Sequence, residues 1–160
     1  MKAQASEIVG RVHQFLTEKG ATVSVAESCT GGLLSLLLTS LPGSSKFFDA
    51  GIVTYSTRAK ESLLGVSPKI ISDDGVISEQ TAAAMAERIR ILTTTDFAVA
   101  TTGNLGPDAL EDKERGLVYI AVSCDKGTFA RELRLDSNRE TNREAAALSA
   151  LELLMEAASA

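Results

Sequence analysis

The sequence predicts an α/β domain, a three-layer α/β/α sandwich built on a mixed, mostly parallel sheet. Three observations carry this prediction. Helical and strand-like segments alternate from Ala3 to Ala100, the order that produces strands joined by crossover helices. The run Asp96 to Ala100 is nearly all apolar, as expected of a central strand covered on both faces. Farther on, Leu117 to Cys124 and Thr128 to Leu135 flank the turn Asp125-Lys126-Gly127, which predicts an antiparallel hairpin and therefore a mixed sheet.

In chain order, Ile8, Val9, Val12, Phe15 and Leu16 recur at helical spacing, predicting a helix from Ala3 to Lys19 with Gly20 as its stop. The β-prone run Thr22 to Ala26 ends at Glu27-Ser28-Cys29-Thr30. Two glycines follow, then an apolar run from Leu33 to Leu41 that reads as a helix broken by Pro42-Gly43. Ser44 and Ser45 fall in a loop, and β-branched content predicts a second strand from Ala50 to Thr54. Ser56 caps a short helix from Thr57 to Leu64 that Gly65 stops, and Pro68 to Gly75 reads as a polar connection. Ser78 opens a helix to Leu92 with a small-residue face of Ala82, Ala83, Met85, Ala86 and Ile89. After the third strand comes a Gly-rich loop, Thr101 to Pro107. Asn138 caps a last helix to Ala158, whose apolar face is Ala147, Leu148, Leu151, Leu154 and Met155. Residues 1–160 thus read as one domain without a linker or internal repeat.

A chain of 160 residues with 44% apolar and 23% charged residues builds a single buried core. Aromatics are 4% and Trp is absent, so the core is aliphatic. The net charge of −5, without any Lys/Arg run, argues against general binding of nucleic acid. Cys29 and Cys124 lie far apart without metal-ligand spacing and read as reduced thiols. The stretch Met1 to Gln14 is polar and amphipathic, unlike a signal peptide, and Leu33 to Leu41 is too short to span a bilayer. A cytoplasmic protein with no membrane partner is expected.

The turn after the first strand is the candidate site. It places Ser28, Cys29 and Thr30 at the carboxyl end of a strand and the amino end of a helix, where backbone N–H groups and the helix dipole favour an anion or oxyanion. Gly31 and Gly32 lack a β-carbon and allow close approach to the backbone. Ser28 reads as a nucleophile or a phosphate contact, although Ser and Thr before a helix also serve as ordinary caps. His13, the only histidine, is remote in sequence, so a Ser-His-Asp triad would have to borrow it. The general base then falls to a Lys, a Tyr or a carboxylate. Tyr55 at a strand end and Lys60 in the following helix can point at one spot; by themselves they read equally as an edge aromatic and a solvated surface lysine. A lysine accepts a serine proton only when neutral, which requires burial or nearby positive charge, with Arg58 a candidate source. Thr102 and Gly103, again following a strand, can face the same crevice, although the loop reads equally as an ordinary turn. Arg139 and Arg143 read as solvent-exposed, with Glu140 pairing to Arg143.

Five motifs in fixed order carry a resemblance. They are A-E-S-C-T-G-G (Ala26 to Gly32), P-G-S-S (Pro42 to Ser45), G-I-V-T-Y-S-x-x-A-K (Gly51 to Lys60), L-L-G-V (Leu63 to Val66) and G-V-I-S-E (Gly75 to Glu79). Together they resemble the CinA C-terminal domain family, which includes bacterial nicotinamide mononucleotide deamidases, and the match runs from about Ser6 to the C-terminus. The resemblance implies the same α/β/α fold and an amidohydrolase converting nicotinamide mononucleotide and water to nicotinate mononucleotide and ammonia. It implies Ser28, Tyr55 and Lys60 as catalytic residues, with Cys29, Thr30, Gly31, Gly32, Thr102 and Gly103 at the substrate. A pyridine nucleotide is then the small-molecule partner, no metal or organic cofactor is needed, and a homodimer or larger homo-oligomer is expected.

The chain departs from the family pattern in one place. T-G-x-x-G-P matches at Thr102, Gly103, Gly106 and Pro107, but the glycine pair that follows is missing, Glu114 stands for a proline and Leu117 for a threonine. Glu111, Asp112 and Glu114 put like charge where a phosphate is expected. The rival expectation is a non-catalytic nucleotide-binding or regulatory paralogue of the same fold.

Overall fold

The structure, a computed structural model, describes residues 2–160. Helix α1 (Lys2–Lys19) leads to strand β1 (Val23–Glu27), the short helix α2 (Leu33–Leu38), a 3₁₀ turn (Ser44–Lys46) and strand β2 (Phe48–Val53). Helices α3 (Thr57–Ser62), α4 (Pro68–Asp74) and α5 (Glu79–Thr93) precede strand β3 (Phe97–Gly103). Strands β4 (Leu117–Cys124) and β5 (Gly127–Arg134) form the hairpin, and helix α6 (Arg139–Ser159) closes the chain. Three of the predicted caps are made by the expected side chains. Ser56 Oγ accepts the Ala59 N–H at 3.0 Å, Ser78 Oγ accepts that of Thr81 at 3.1 Å, and Asn138 Oδ1 accepts that of Thr141 at 2.9 Å. Each satisfies an N–H that the first helical turn leaves without a partner.

The sheet is mixed, in the order β2-β1-β3-β4-β5. Strand β1 runs parallel to both β2 and β3, whereas β4 is antiparallel to β3 and β5, so only β4 runs against the common direction. The period-two alternation of the strands sorts residues by size. Val23, Val25, Val99, Val118, Ile120 and Val122 face α1, α2 and α6 in one core. Ala26, Ala98, Ala100 and Ala121 face the opposite layer, where Ala82, Met85 and Ala86 of α5 meet them. Small residues on both sides bring α5 close to the sheet. In the aliphatic layer Leu16, Leu34, Leu151 and Leu154 are completely buried, each worth about 1.5–3 kcal/mol of transfer free energy.

Three segments differ from expectation. Helix α2 stops at Leu38 instead of Leu41: Thr39 leaves helical backbone, with φ of −102° and ψ of 5°, and the Ser40 N–H turns back three residues onto the Leu37 carbonyl at 3.3 Å. The connection expected at Pro68 to Gly75 is helix α4. Pro68 sits in its first turn, where a missing N–H has no consequence, Lys69 pairs with Asp73, and Ile70 and Ile71 pack on the alanine-rich core. Strand β3 continues past Ala100, so Thr101, Thr102 and Gly103 are ladder residues opposite Ile120, Tyr119 and Val118, not loop. Among the described residues no helix is long and apolar enough to cross a membrane.

Candidate active site

The parallel register sets the site. Glu27 lies opposite Val53 on one side and Thr101 on the other, so the carboxyl ends of β1, β2 and β3 meet at one edge of the sheet. Strand β1 connects to β2 through α2 on one face, and β2 connects to β3 through α5 on the other. A crevice opens where such connections diverge to opposite faces. Ser28, Cys29, Tyr55, Val76, Thr102 and Glu111 are among the residues lining a cleft of about 290 Å³ there.

Ser28 and Lys60 are brought together. The Ser28 N–H donates to the Thr101 carbonyl at 3.0 Å, fixing the residue at the end of β1, and its side chain is nearly buried. Lys60 comes from α3, whose start is set by the Ser56 cap, and is completely buried. Its Nζ lies 2.9 Å from Ser28 Oγ, 2.8 Å from the Thr54 carbonyl and 3.1 Å from the Tyr55 carbonyl. Burial pushes the Lys60 amine down from 10.5 to about 8, with the Glu111 carboxylate pulling the other way. The geometry prepares the neutral form. Carbonyls only accept, so the two N–H bonds of a neutral amine point at Thr54 and Tyr55, and its lone pair is left facing the Ser28 hydroxyl.

Tyr55 is divided between two roles. Its carbonyl holds Lys60, but its exposed phenol accepts a bond from Arg139 at 3.0 Å instead of reaching Ser28. The same guanidinium donates to the Gly106 carbonyl at 2.7 Å, so Arg139 ties the start of α6 to the cleft and is not merely solvated. Arg58 is exposed, and His13 bonds the Pro42 carbonyl at 2.9 Å and packs edge-on against Phe47, apart from the pair.

Within the turn expected to favour an anion, the Gly32 end is taken by Glu27. This carboxylate is completely buried and accepts from Gly32 N–H (3.2 Å), Leu34 N–H (2.9 Å), Ser35 N–H (3.1 Å), Thr30 Oγ1 (2.7 Å) and Ser35 Oγ (2.8 Å). The start of α2 therefore already holds a charge of the chain's own, as the helix dipole favours. The Gly31 N–H is spent on the Ser28 carbonyl at 3.1 Å. Both glycines serve the turn, with φ of 61° and 108°. The N–H groups of Cys29 and Thr30 have no acceptor among the described residues. The Cys29 thiol is pushed up to about 12 by burial and stays protonated, so it packs in the core and is no nucleophile.

Thr30 and Thr102 also hold the site rather than open it. Thr30 Oγ1 lies 2.8 Å from Thr101 Oγ1, and Thr102 Oγ1 donates to the Val76 carbonyl at 2.8 Å. Gly103 is required by packing, since a β-carbon there would lie 2.7 Å from Val118 Cα. The acidic loop reaches the cleft as expected, but through one residue. Glu111 accepts the Val76 and Ile77 N–H groups at 2.9 Å each, and Lys113 behind it donates to the Asp74 carbonyl at 3.2 Å and to the Ile77 carbonyl.

Sequence reasoning missed Glu27 and Arg139 as site residues. A charged residue at the end of the β-prone run marks Glu27, but nothing in the sequence says where its carboxylate points. Nothing local distinguished Arg139 from a solvated helix arginine.

Fold and site together define a class: an α/β/α domain with a buried serine–lysine pair at the switch point of its sheet. Within that class the chain belongs to the CinA C-terminal domain family, whose sequence model matches residues 5–158. A putative competence-damage inducible protein of Acetivibrio thermocellus is 44% identical over 142 residues, covering 88% of this chain and 34% of that protein. A CinA-like protein of Shewanella denitrificans is 42% identical over 154 residues, covering 95% and 36%. The chain thus spans about a third of the length of these relatives, 34% and 36%. Among solved structures, the competence/damage inducible protein CihA from Agrobacterium tumefaciens superposes with a TM-score of 0.91 at 38% identity, covering 96% of this chain and 94% of that one. A CinA superfamily protein from Escherichia coli gives 0.91 at 30% identity, covering 94% and 88%.

Proposed function

We propose that this domain is an amidase that hydrolyses the carboxamide of nicotinamide mononucleotide to nicotinate mononucleotide and ammonia. The observation that carries the reading is the Lys60 amine, buried, lowered to about 8 and 2.9 Å from Ser28 Oγ. At pH 7 about a tenth of such an amine is neutral, far more than of a solvated lysine. The neutral amine takes the Ser28 proton as Oγ attacks the amide carbon. The oxyanion that forms is met by the Cys29 and Thr30 N–H groups, a type of contact worth about 3 kcal/mol per donor. Lys60 returns the proton to the departing ammonia, and water, activated by the same amine, cleaves the acyl-serine ester to the carboxylate.

In this reading Tyr55 acts through its carbonyl on Lys60 and offers its phenol, tied to Arg139, at the mouth of the cleft. Glu27 is a positioning residue that holds the Ser28–Gly32 turn from beneath. Thr102 and Gly103 supply wall. The test is ammonia release from nicotinamide mononucleotide without added metal. Release that disappears in Ser28→Ala while the fold is retained supports the reading, and unchanged release in that variant refutes it.

A second reading, a nucleotide-binding module without turnover, is favoured by the Glu111 carboxylate in the cleft. It predicts calorimetric binding of the nucleotide with no ammonia formed.

A further inference from the structure

Glu111 is a charged group that the proposed reaction does not use, yet it lies inside the cleft with Ser28. Its carboxylate bridges two consecutive backbone N–H groups, Val76 and Ile77, at 2.9 Å each. The Lys113 ammonium stands 3.9 Å from the same carboxylate. Two convergent N–H donors backed by a cation are the makings of an anion seat, and here the anion is supplied by the chain. We propose that Glu111 is a specificity-determining residue that occupies the seat a substrate phosphate must take, so that phosphorylated amides bind only when Glu111 swings away. This rests on the amidase reading for the substrate's identity but not for the existence of the seat.

Charge and space support displacement over sharing. A phosphate arriving beside a seated carboxylate meets like charge, with a single lysine to offset both. Once Glu111 leaves, the phosphate inherits both N–H groups and Lys113. The carboxylate can leave, because its side chain is 35% exposed and the loop stays anchored by Lys113 on the Asp74 and Ile77 carbonyls. The cleft of about 290 Å³ stands at the lower bound of ligand pockets, ~300–1,000 Å³, and Glu111 is part of its wall. The backbone at Glu111 and Asp112 is left-handed, with φ of 54° and 56°, a conformation that non-glycine residues seldom adopt.

The consequence is a tax on phosphate that other ligands escape. If Glu111 is seated nine times in ten, the apparent affinity for a phosphorylated ligand is about tenfold weaker than the vacated site would give. A ligand lacking the phosphate is unaffected.

The test compares the wild type with Glu111→Ala and Glu111→Gln, the second keeping the side-chain volume should the first disturb the loop. Inorganic phosphate is titrated while the backbone amide resonances of Val76 and Ile77 are followed. Both resonances should move in Glu111→Ala at about tenfold lower phosphate than in the wild type, with Glu111→Gln between the two. Equal midpoints in wild type and variants, or amides that do not respond in either variant, overturn the proposal whatever the ammonia assay gives. Calorimetry with nicotinamide mononucleotide and nicotinamide riboside, run with and without Glu111→Ala in the Ser28→Ala background so that no turnover heat enters, adds the specificity arm. The mononucleotide should tighten about tenfold in Glu111→Ala and the riboside should not change; equal tightening of both refutes charge selection. Phosphate binding at Val76 and Ile77 without ammonia release would sink the amidase reading and leave the seat standing.

Discussion

Replacing Lys60 with Met removes a buried amine and keeps the length of the side chain. The folded protein holds this amine at about 8, against 10.5 when solvated, so below pH 8 folding must either desolvate a charge or release a proton. The unfolded chain binds more protons than the native one between those two values, and native stability therefore rises with pH across that window. Working the linkage for one group gives a penalty of about 3 kcal/mol at pH 7 and about 1 kcal/mol at pH 10. Wild type should gain about 2–3 kcal/mol relative to Lys60→Met between pH 7 and pH 10. The hydrogen bonds lost with the amine shift the variant's overall stability but not this difference, because a neutral amine still bonds the Thr54 and Tyr55 carbonyls. Urea unfolding of both proteins at a series of pH values measures it. Parallel stability curves would show that Lys60 is not desolvated as its burial requires and would refute the argument for a neutral base.

Three more predictions concern the surroundings. Glu27→Gln puts an amide NH₂ among five donors and should lower stability by about 3 kcal/mol, read by thermal unfolding; an unchanged melting temperature would contradict the assigned bonds. Gly103→Ala forces a β-carbon to 2.7 Å from Val118 Cα and should cost about 1–3 kcal/mol in denaturant unfolding. Tyr55→Phe keeps the carbonyl that holds Lys60 and loses only the bond to Arg139, so kcat should stay within about tenfold of wild type, against the 10²–10⁴-fold typical of losing a proton-transfer group. A collapse to the level of Ser28→Ala would show that the phenol itself moves a proton.

Much of this architecture is readable from residue order because its signals are local. Ser56, Ser78 and Asn138 cap the helices they were expected to cap, since a cap needs only its own first turn. Helix α4 was hidden because its apolar face is only Ile70 and Ile71 among polar neighbours, and tertiary packing on the alanine-rich core decides it. The reach of β3 to Gly103 was hidden for a similar reason: the pairing partner that extends the strand lies on β4, beyond the acidic loop. In the site, Ser28 and Lys60 converge as expected, because a parallel register brings strand ends together. The occupation of the α2 start by Glu27 was not legible. A carboxylate before a helix reads equally as solvent-facing, and only the buried turn determines that it curls back onto its own helix.

The central claim is that a serine activated by a buried, neutral lysine hydrolyses an amide. The pH dependence of kcat/KM for ammonia release from nicotinamide mononucleotide tests it most directly. Only the neutral amine serves as base, so the rate should climb about tenfold per pH unit below neutrality, bend near the value of about 8 that burial gives Lys60, and level off above it. A profile that is flat from pH 6 to 9, or one that falls as pH rises, would contradict the account.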